Sequence, residues 1–315
     1  KSFTFFSAVN PAIKHSGNGT ESKFKTLNLF PSEYVPKSIL VEKGENLHQI
    51  NLRLKKQNFQ FPLIIKPDIG FRGLLVQQIH NNGELENYLK QHHFIDLIIQ
   101  EFIDYKNECG IFYHKIPGAK TGKITSITLK KYLAVTGNGK STLKELILNN
   151  NRAVIFKEML YKIHKDKLAV VLEKGEESIL NVIGNHSKGT QFINGNHLIS
   201  ADLENAFDQL FSNISNVFYG RVDLKYDSFE HLIEKSEFKI IEMNGVISEP
   251  THIYDKENTT YLKALKDFRK HWRLIYEIAV KNNNDFGVKY EKSSTYINCL
   301  FKLKKYTNQL KKLRN

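Results

Sequence analysis

The chain has 315 residues, 41% of them hydrophobic and 25% charged, enough to bury a core in one large domain or two lobes. This balance excludes a disordered tail protein, a collagen-like repeat and a disulfide-stapled miniprotein, and no run reaches the roughly 18–20 apolar residues of a membrane span. The formal charge of +13 suits polyanionic partners such as nucleotide phosphates or anionic lipid.

The first sixty residues are turn-rich, with Asn10-Pro11, Gly17-Asn18-Gly19 and Phe30-Pro31 followed by a short apolar run at 38–41. No strand leading into a glycine-rich turn and a helix is present there, so no nucleotide-binding βαβ unit is expected in that region. From residue 61 the pattern sharpens. Residues 62–66 (PLIIK) read as an apolar strand stopped by Pro67, and a glycine-containing loop at 68–73 leads to a strand at 74–80. A helix over 84–92 and a buried strand over 97–100 follow. Residues 108–116 and 123–135 alternate as strands about a turn at 117–122. Thr142 with Glu145 three residues on forms a capping box that opens a helix. Leu203, Phe207, Leu210, Phe211, Ile214 and Phe218 recur at helical spacing, then strands are expected at 220–226 and 238–243. A helix over 260–280 would place Leu262, Leu265, Phe268, Trp272, Ile275 and Ile278 on one side. The fold class is α+β with mixed or antiparallel sheets.

The sequence 137–142 (GNGKST) ends like a phosphate-binding P-loop, but the glycine required five residues before Gly139 is Ala134, and the capped-helix reading prevails. The run Gly220-Arg221-Val222-Asp223, with Glu242-Met243-Asn244 after it, is more informative. Alternate strand residues share a face, so Arg221 and Asp223 point together, as do Glu242 and Asn244. If the strands are neighbours, two carboxylates and a carboxamide converge, a hard oxygen set suited to Mg²⁺ that also holds nucleotide phosphates. Arg221 beside them would steady charge on a transferred phosphoryl group. Lys66 closes an apolar strand just before Gly70 and Gly73, whose turn would bare backbone N–H groups toward phosphate.

The order strand-Lys66, glycine loop 70–73, Gln100-Glu101-Phe102-Ile103, Glu108, Lys130, Arg221-x-Asp223, Glu242-x-Asn244 resembles the ATP-grasp superfamily, most closely the D-alanine–D-alanine ligase-like carboxylate–amine ligases, over residues 61–254. Residues 135–147 are also similar to a segment of cyanophycin synthetase-type ATP-grasp ligases. The resemblance implies two α+β lobes holding ATP between them. It implies that Lys66 contacts the α- and β-phosphates and that the loop with Gly70, Arg72 and Gly73 folds over the triphosphate. Glu101, Phe102 and Ile103 would be the linker whose backbone reads the adenine edge. Glu108 would accept from the ribose hydroxyls, and Lys130, with Lys131 as the competing choice, would reach the phosphates. Asp223, Glu242 and Asn244 would hold two Mg²⁺ ions, with Glu242 bridging, and Arg221 would act on the acyl-phosphate and tetrahedral intermediate. The implied activity is Mg·ATP-dependent carboxylate–amine ligation on small-molecule substrates. A phosphotransferase and a non-catalytic basic module binding nucleotide, lipid or nucleic acid are the alternatives; nucleic acid is not expected as a partner.

Two departures narrow the inference. Phe71-Arg72 stand where D-alanine ligases carry small hydroxyl residues, and their N-terminal substrate domain is not recognisable, so D-alanine is not assigned. Asn185, His186, Ser248 and His252 are the substrate-pocket candidates, with the polar stretch 10–23 beside the same cleft; structural loop histidines are the competing reading of His186 and His252. The expected division is an irregular segment at 1–60, an ATP-grasp domain at 61–280 (small lobe 61–103, large lobe 104–280) and a basic amphipathic tail at 281–315. Its Ile297, Leu300, Leu303, Tyr306, Leu310 and Leu313 lie near helical spacing, either on an anionic membrane surface or against the chain's own domain. Cys109 and Cys299, far apart and without a CxxC partner, point to a reducing, cytoplasmic setting. Since Lys1, not methionine, comes first, an upstream segment is expected.

Overall fold

A computed structural model describes residues 2–70 and 73–312. In chain order they form α1 (Lys23–Leu27), β1 (Ser38–Val41), α2 (Leu47–Lys56), β2 (Leu63–Pro67), β3 (Gln77–Ile79), α3 (Asn82–His92), β4 (Leu97–Glu101), β5 (Asn107–His114), β6 (Lys123–Lys131) and β7 (Leu133–Thr136). Then come α4 (Leu143–Asn149), α5 (Lys157–Ile163), β8 (Glu177–Asn181), β9 (Gln191–Asn194), α6 (Ala201–Ser212), β10 (Tyr219–Tyr226), α7 (Phe229–Ile233), β11 (Phe238–Asn244), α8 (Tyr261–Phe286) and α9 (Ser293–Lys312). The α+β expectation holds, and the strand pairs with a resolved register are all antiparallel. The chain divides into two compact units, residues 1–129 with 194–315, and residues 130–193.

The first unit contains two sheets. One has the order β1-β4-β2-β3. The segment read as irregular contributes to it: β1 pairs with β4, Ile39 opposite Ile99, and α2 packs Ile50 and Leu54 into the core beneath. A four-residue SILV run preceded by Pro36 is too short to carry a period, so only its pairing identifies it as a strand. The expected strand at 74–80 shrinks to β3, its start taken up by a turn with Leu75 at φ 57°.

The second sheet runs β11-β10-β5-β6. Alternation sorts its two faces, except that the irregularity between Ile240 and Glu242 turns Ile240, expected beside Glu242 and Asn244, into the core with Met243. Cys109, Ile111, Val222, Leu224, Ile240 and Met243 join Phe207, Leu210 and Phe211 of α6 in a buried core, whose area removed from water supplies the driving force. The opposite face carries the polar residues described below.

Two helices depart from expectation. On α8 the residues buried are His271, Ile275, Ile278, Ala279 and Asn282, whereas Leu262 is 68% and Trp272 56% exposed. The N-terminal turn at Phe5–Ala8 dictates this: Asn282 Nδ2 donates to the Ala8 carbonyl at 2.7 Å, and Ile275 and Ile278 pack with Phe6 and Val9. The tail is α9, and part of its apolar stripe packs on the chain itself, whereas Ile297 and Leu300 are exposed. Tyr296 joins the core of α8, Leu310 is fully buried in the core under β1-β4-β2-β3, and Tyr306 donates to the Ile69 carbonyl at 2.9 Å. Leu313 lies outside the described residues. No helix among the described residues is long and apolar enough to cross a membrane. Cys109 is buried, Cys299 half-buried, and neither forms a disulfide.

The second unit pairs β7 with β8 and encloses a core of Leu133, Val135, Leu143, Ile147, Leu160, Leu172 and Leu180. The capping box is present: Glu145 N donates to Thr142 Oγ1 at 3.3 Å and Thr142 N to Glu145 Oε2 at 2.8 Å. The GNGKST stretch is thus the entry to α4.

Candidate active site

The site is built on the polar face of β10 and β11. They are antiparallel neighbours with Asp223 opposite Glu242 and Arg221 opposite Asn244, and the register shifts just after Asp223. The two carboxylates and the carboxamide therefore converge as the alternation requires. Arg221 lies along the strand onto Asp223, with Nε 2.7 Å from Oδ1 and Nη2 3.2 Å from Oδ2, a bidentate pair. Its Nη1 donates to the Glu249 carbonyl at 3.1 Å. Gly110 on β5 faces Asp223, and a Cβ there would lie 2.9 Å from Asp223 Oδ1 and 3.0 Å from Arg221 Cδ. The glycine leaves that space to the ion pair.

Lys66 approaches from the other sheet. Its Nζ donates to Gln100 Oε1 at 3.1 Å and to the Ile241 carbonyl of β11 at 3.0 Å. Burial, with Lys23 adding to it, pushes its pKa down to about 8 against the pull of Glu242 and Asp223. Lys23, at the start of α1, forms an ion pair with Glu242 Oε1. Burial opposes the charge of Lys23, but Glu242 outweighs it and the pKa is raised; burial likewise opposes Glu242, yet Lys23 and Lys66 hold its carboxyl below the ordinary range. These shifts keep Lys23 and Glu242 ionised as a pair. Asn244 Nδ2 is buried without a hydrogen-bond partner among the described residues, which leaves the carboxamide free to turn its oxygen toward a ligand. No three His, Cys, Asp or Glu side chains among the described residues form a metal-holding group; the candidate set is two carboxylates and an amide.

Further along the same face, Lys225 is paired across the strands with Glu108, and both are buried. Lys225 Nζ lies 5.2 Å from the Phe102 ring centroid and 3.3 Å from the Tyr105 carbonyl, so it braces the residues after β4. Glu101 N donates to the Lys37 carbonyl at 2.9 Å, which commits that N–H inside the chain. A cavity of about 440 Å³ adjoins this linker, lined by Phe59, Phe61, Pro62, Glu101 and Phe102 among others. In the glycine loop Gly73 takes φ 67°, the left-handed region that glycine adopts without strain. Phe71 and Arg72 lie outside the described residues.

The remaining candidates lie in the second unit or are spent within the chain. Ser248 Oγ donates to the Asn244 carbonyl at 3.1 Å and the Gly245 carbonyl at 2.5 Å, closing the turn after β11. His252 is buried with Nε2 3.1 Å from Asp267 Oδ2. In the second unit, Lys130 is half-buried and Lys131 exposed at the end of β6. Asn185 Oδ1 there accepts from Ser187 N at 3.0 Å, and the His186 ring meets Phe192 edge-on. Sequence reasoning missed Lys23, Gly110 and Lys225. Lys225 follows Arg221 and Asp223 at the same two-residue spacing, and that period was the available signal; Lys23 had none beyond the polar stretch it ends.

Residues 20–118 match the RimK-like ATP-grasp domain. A curated relative, the coenzyme gamma-F420-2:alpha-L-glutamate ligase of Methanocaldococcus jannaschii, is 33% identical over 89 residues, 28% of this chain and 30% of that protein. The match thus spans less than a third of its length. Among solved structures, the D-alanine–D-alanine ligase of Bacillus anthracis aligns with 87% of this chain and 72% of its own at 13% identity and a TM-score of 0.47. The VanG D-Ala:D-Ser ligase of Enterococcus faecalis aligns with 85% and 63% at 13% identity and a TM-score of 0.46. The RimK-like match covers α1, Lys66, the linker and Glu108 but stops short of β10 and β11, and over residues 20–118 this chain is similar to an ATP-grasp domain.

Proposed function

We propose that this chain joins a carboxylate to an amine, or to another nucleophile, at the expense of ATP through an acyl-phosphate. The observation that carries the reading is the facing of Asp223 and Glu242 across β10 and β11, with Arg221 and Asn244 beside them and Lys66 reaching β11 from the second sheet. The matched ATP-grasp segment and the glutamate-ligase relative support it.

In this reading Asp223, Glu242 and Asn244 hold magnesium, for which hard oxygen donors and an amide free of hydrogen bonds on its nitrogen are a fitting set. Bound magnesium supplies neutralisation of the phosphate charge. Lys66 binds the phosphates, Glu108 accepts from the ribose hydroxyls, and the linker at 101–103 presents backbone to the base. Lys130 is assigned the second phosphate contact. An oxygen of the substrate carboxylate attacks the γ-phosphorus while the bond to the β–γ bridging oxygen breaks, releasing ADP. The amine nitrogen then attacks the acyl carbon, the C–O bond to phosphate breaks, and the nitrogen gives up a proton. Two anions must meet in the first step, and Lys66 and Arg221 offset their charge. The loop at 70–73 excludes water that would hydrolyse the acyl-phosphate.

The test is a panel of amino acids and small acids scored for ADP release that requires both substrates, with mass spectrometry of the product. An amide with equimolar phosphate supports the proposal. A phosphorylated product without phosphate release indicates a phosphotransferase. No magnesium-dependent nucleotide binding at all, with surface binding that collapses in salt, indicates a basic module.

A further inference from the structure

Lys23 is placed with more care than a surface ion pair needs. Three hydrogen bonds tie the start of α1 to Asp68, two residues past Lys66: Lys23 N to the Asp68 carbonyl at 3.1 Å, Phe24 N to Asp68 Oδ1 at 2.9 Å, and Ser22 Oγ to the same oxygen at 2.9 Å. The preceding turn is fixed to the end of β11 by Val246 N on the Ser16 carbonyl at 3.0 Å and Ile247 N on the Gly17 carbonyl at 3.1 Å. Gly17 and Gly245 meet so closely there that a Cβ on Gly17 would lie 2.6 Å from Gly245 Cα. Backbone on both sides therefore aims the ammonium at the space between Lys66 and Glu242.

The helix end itself does not favour a cation at this point. Lys23 is the first residue of α1, where the helix end favours anions. Lys23 joins Lys66 and Arg221 among the carboxylates Asp223, Glu242, Glu21 and Asp68, and Lys23 and Lys66 repel each other. The same segment carries Thr20 Oγ1 and Glu21 Oε2, both buried and without a hydrogen-bond partner among the described residues. Buried polar atoms are otherwise nearly always paired, so this stretch holds hydrogen-bonding capacity that the fold does not use.

We propose that Lys23 binds the γ-phosphoryl oxygens of the nucleotide, the group being transferred, and that its pairing with Glu242 keeps it beside that position. The assignment rests on the nucleotide-dependent reading above. It fits the balance of charge: a triphosphate brings negative oxygens next to Glu242, and an ammonium already seated on that carboxylate has only to turn toward them.

The experiment compares Mg·ADP with the non-hydrolysable triphosphate Mg·AMP-PNP by calorimetry in the wild type, Lys23→Met and Lys23→Arg. The expected result is that Lys23→Met lowers AMP-PNP affinity about tenfold relative to ADP, with ADP changed less than threefold, and that Lys23→Arg restores most of the difference. Equal losses for both nucleotides, or no change in their ratio, overturn the assignment and leave Lys23 a structural residue. Thermal melting separates misfolding from lost contact, and if Lys23→Met fails to fold, a ratio unchanged in Lys23→Ala overturns the assignment instead. A wild-type chain that binds neither nucleotide refutes the nucleotide reading itself, a different outcome from a wild type that binds both while the variants keep its ratio.

Discussion

Replacing Gly110 by alanine tests whether the polar face of β5, β10 and β11 is the working surface. The glycine is not in the left-handed region, so alanine adopts its backbone without strain, and loss of glycine's chain entropy favours the fold by roughly 0.5–1 kcal/mol. The added methyl, however, would lie 2.9 Å from Asp223 Oδ1, 3.0 Å from Arg221 Cδ and 3.3 Å from Arg221 Nε. Ordinary contact begins near 3.4 Å, so the Arg221–Asp223 pair must retreat by about 0.5 Å or turn away from Glu242. Both are side-chain ends that can move, so stability should stay within about 1 kcal/mol of the wild type. Function should not follow stability. A misplacement on the order of 1 Å in a reacting constellation costs about 100-fold, so substrate-dependent ADP release is expected to fall at least tenfold, with weaker magnesium-dependent nucleotide binding. The assays are thermal melting for the fold, and coupled ADP release with calorimetry for the site. Full activity in a folded Gly110→Ala variant would refute the reasoning, because it would mean that the geometry of Arg221 and Asp223 does not matter.

Three further outcomes are expected. Glu242→Gln keeps the shape and an acceptor for Lys23 but removes the charge, so nucleotide turnover should disappear while the far-ultraviolet circular dichroism is retained; undiminished turnover would remove Glu242 from the metal set. Buried His271 and half-buried His114 have their pKa values pushed down to about 3 and about 4, by desolvation first. An unfolded histidine titrates near 6.5, so the unfolded chain takes up protons that the folded one refuses and stability falls as pH drops below about 6.5. At up to about 1.4 kcal/mol per pH unit for each group, the pair contributes roughly 2 kcal/mol between pH 6 and pH 5, and a urea series in which His271→Asn showed the wild-type slope would contradict this. Leu310→Ala should cost about 2–5 kcal/mol, as for other fully buried leucines, and an unchanged melting temperature would mean that α9 does not pack where it is placed.

Much of the site was legible because it is carried by strands. A period of two needs only the letters R-V-D and E-M-N to predict that four polar side chains share a face, and β10 and β11 are close in sequence, so their pairing was the simplest topology. Lys66 was legible for a similar reason, as a charge ending an apolar strand. Lys23 was not, because its partner Glu242 is 219 residues away and no local pattern encodes a contact of that span. The face of α8 failed in an instructive way. Leu262, Leu265 and Trp272 have the spacing of a buried stripe, yet the N-terminal turn covers only the later part of the helix, and there it selects Asn282, which bonds to the carbonyls of Ala8 and Val9. Periodicity reports which residues can be buried together; what covers them is a tertiary fact. The tail was ambiguous on the same ground, and Leu310 and Tyr306 show by their neighbours, not by their spacing, that its later part packs on the chain.

The charge on this face is itself an argument for function. Lys23, Lys66, Arg221, Asp223 and Glu242 are drawn together with little exposure, and Glu108 with Lys225 continues the row. Taking ions out of water is costly enough that well-packed apolar residues of similar volume often do as well or better, by 1–4 kcal/mol where a buried pair or triad has been replaced. The other face of the same strands shows that this chain can build such a core: Val222, Leu224, Ile240 and Met243 are all buried there. One sheet thus has an apolar face that accounts for its stability and a charged face that stability does not require. Replacing both members of one ion pair by neutral isosteres, Lys23→Met with Glu242→Gln, should therefore leave the melting temperature equal or higher while abolishing nucleotide binding. A marked loss of stability instead would mean that the charges are there to hold the sheets together, and the catalytic reading of the face would lose its physical basis.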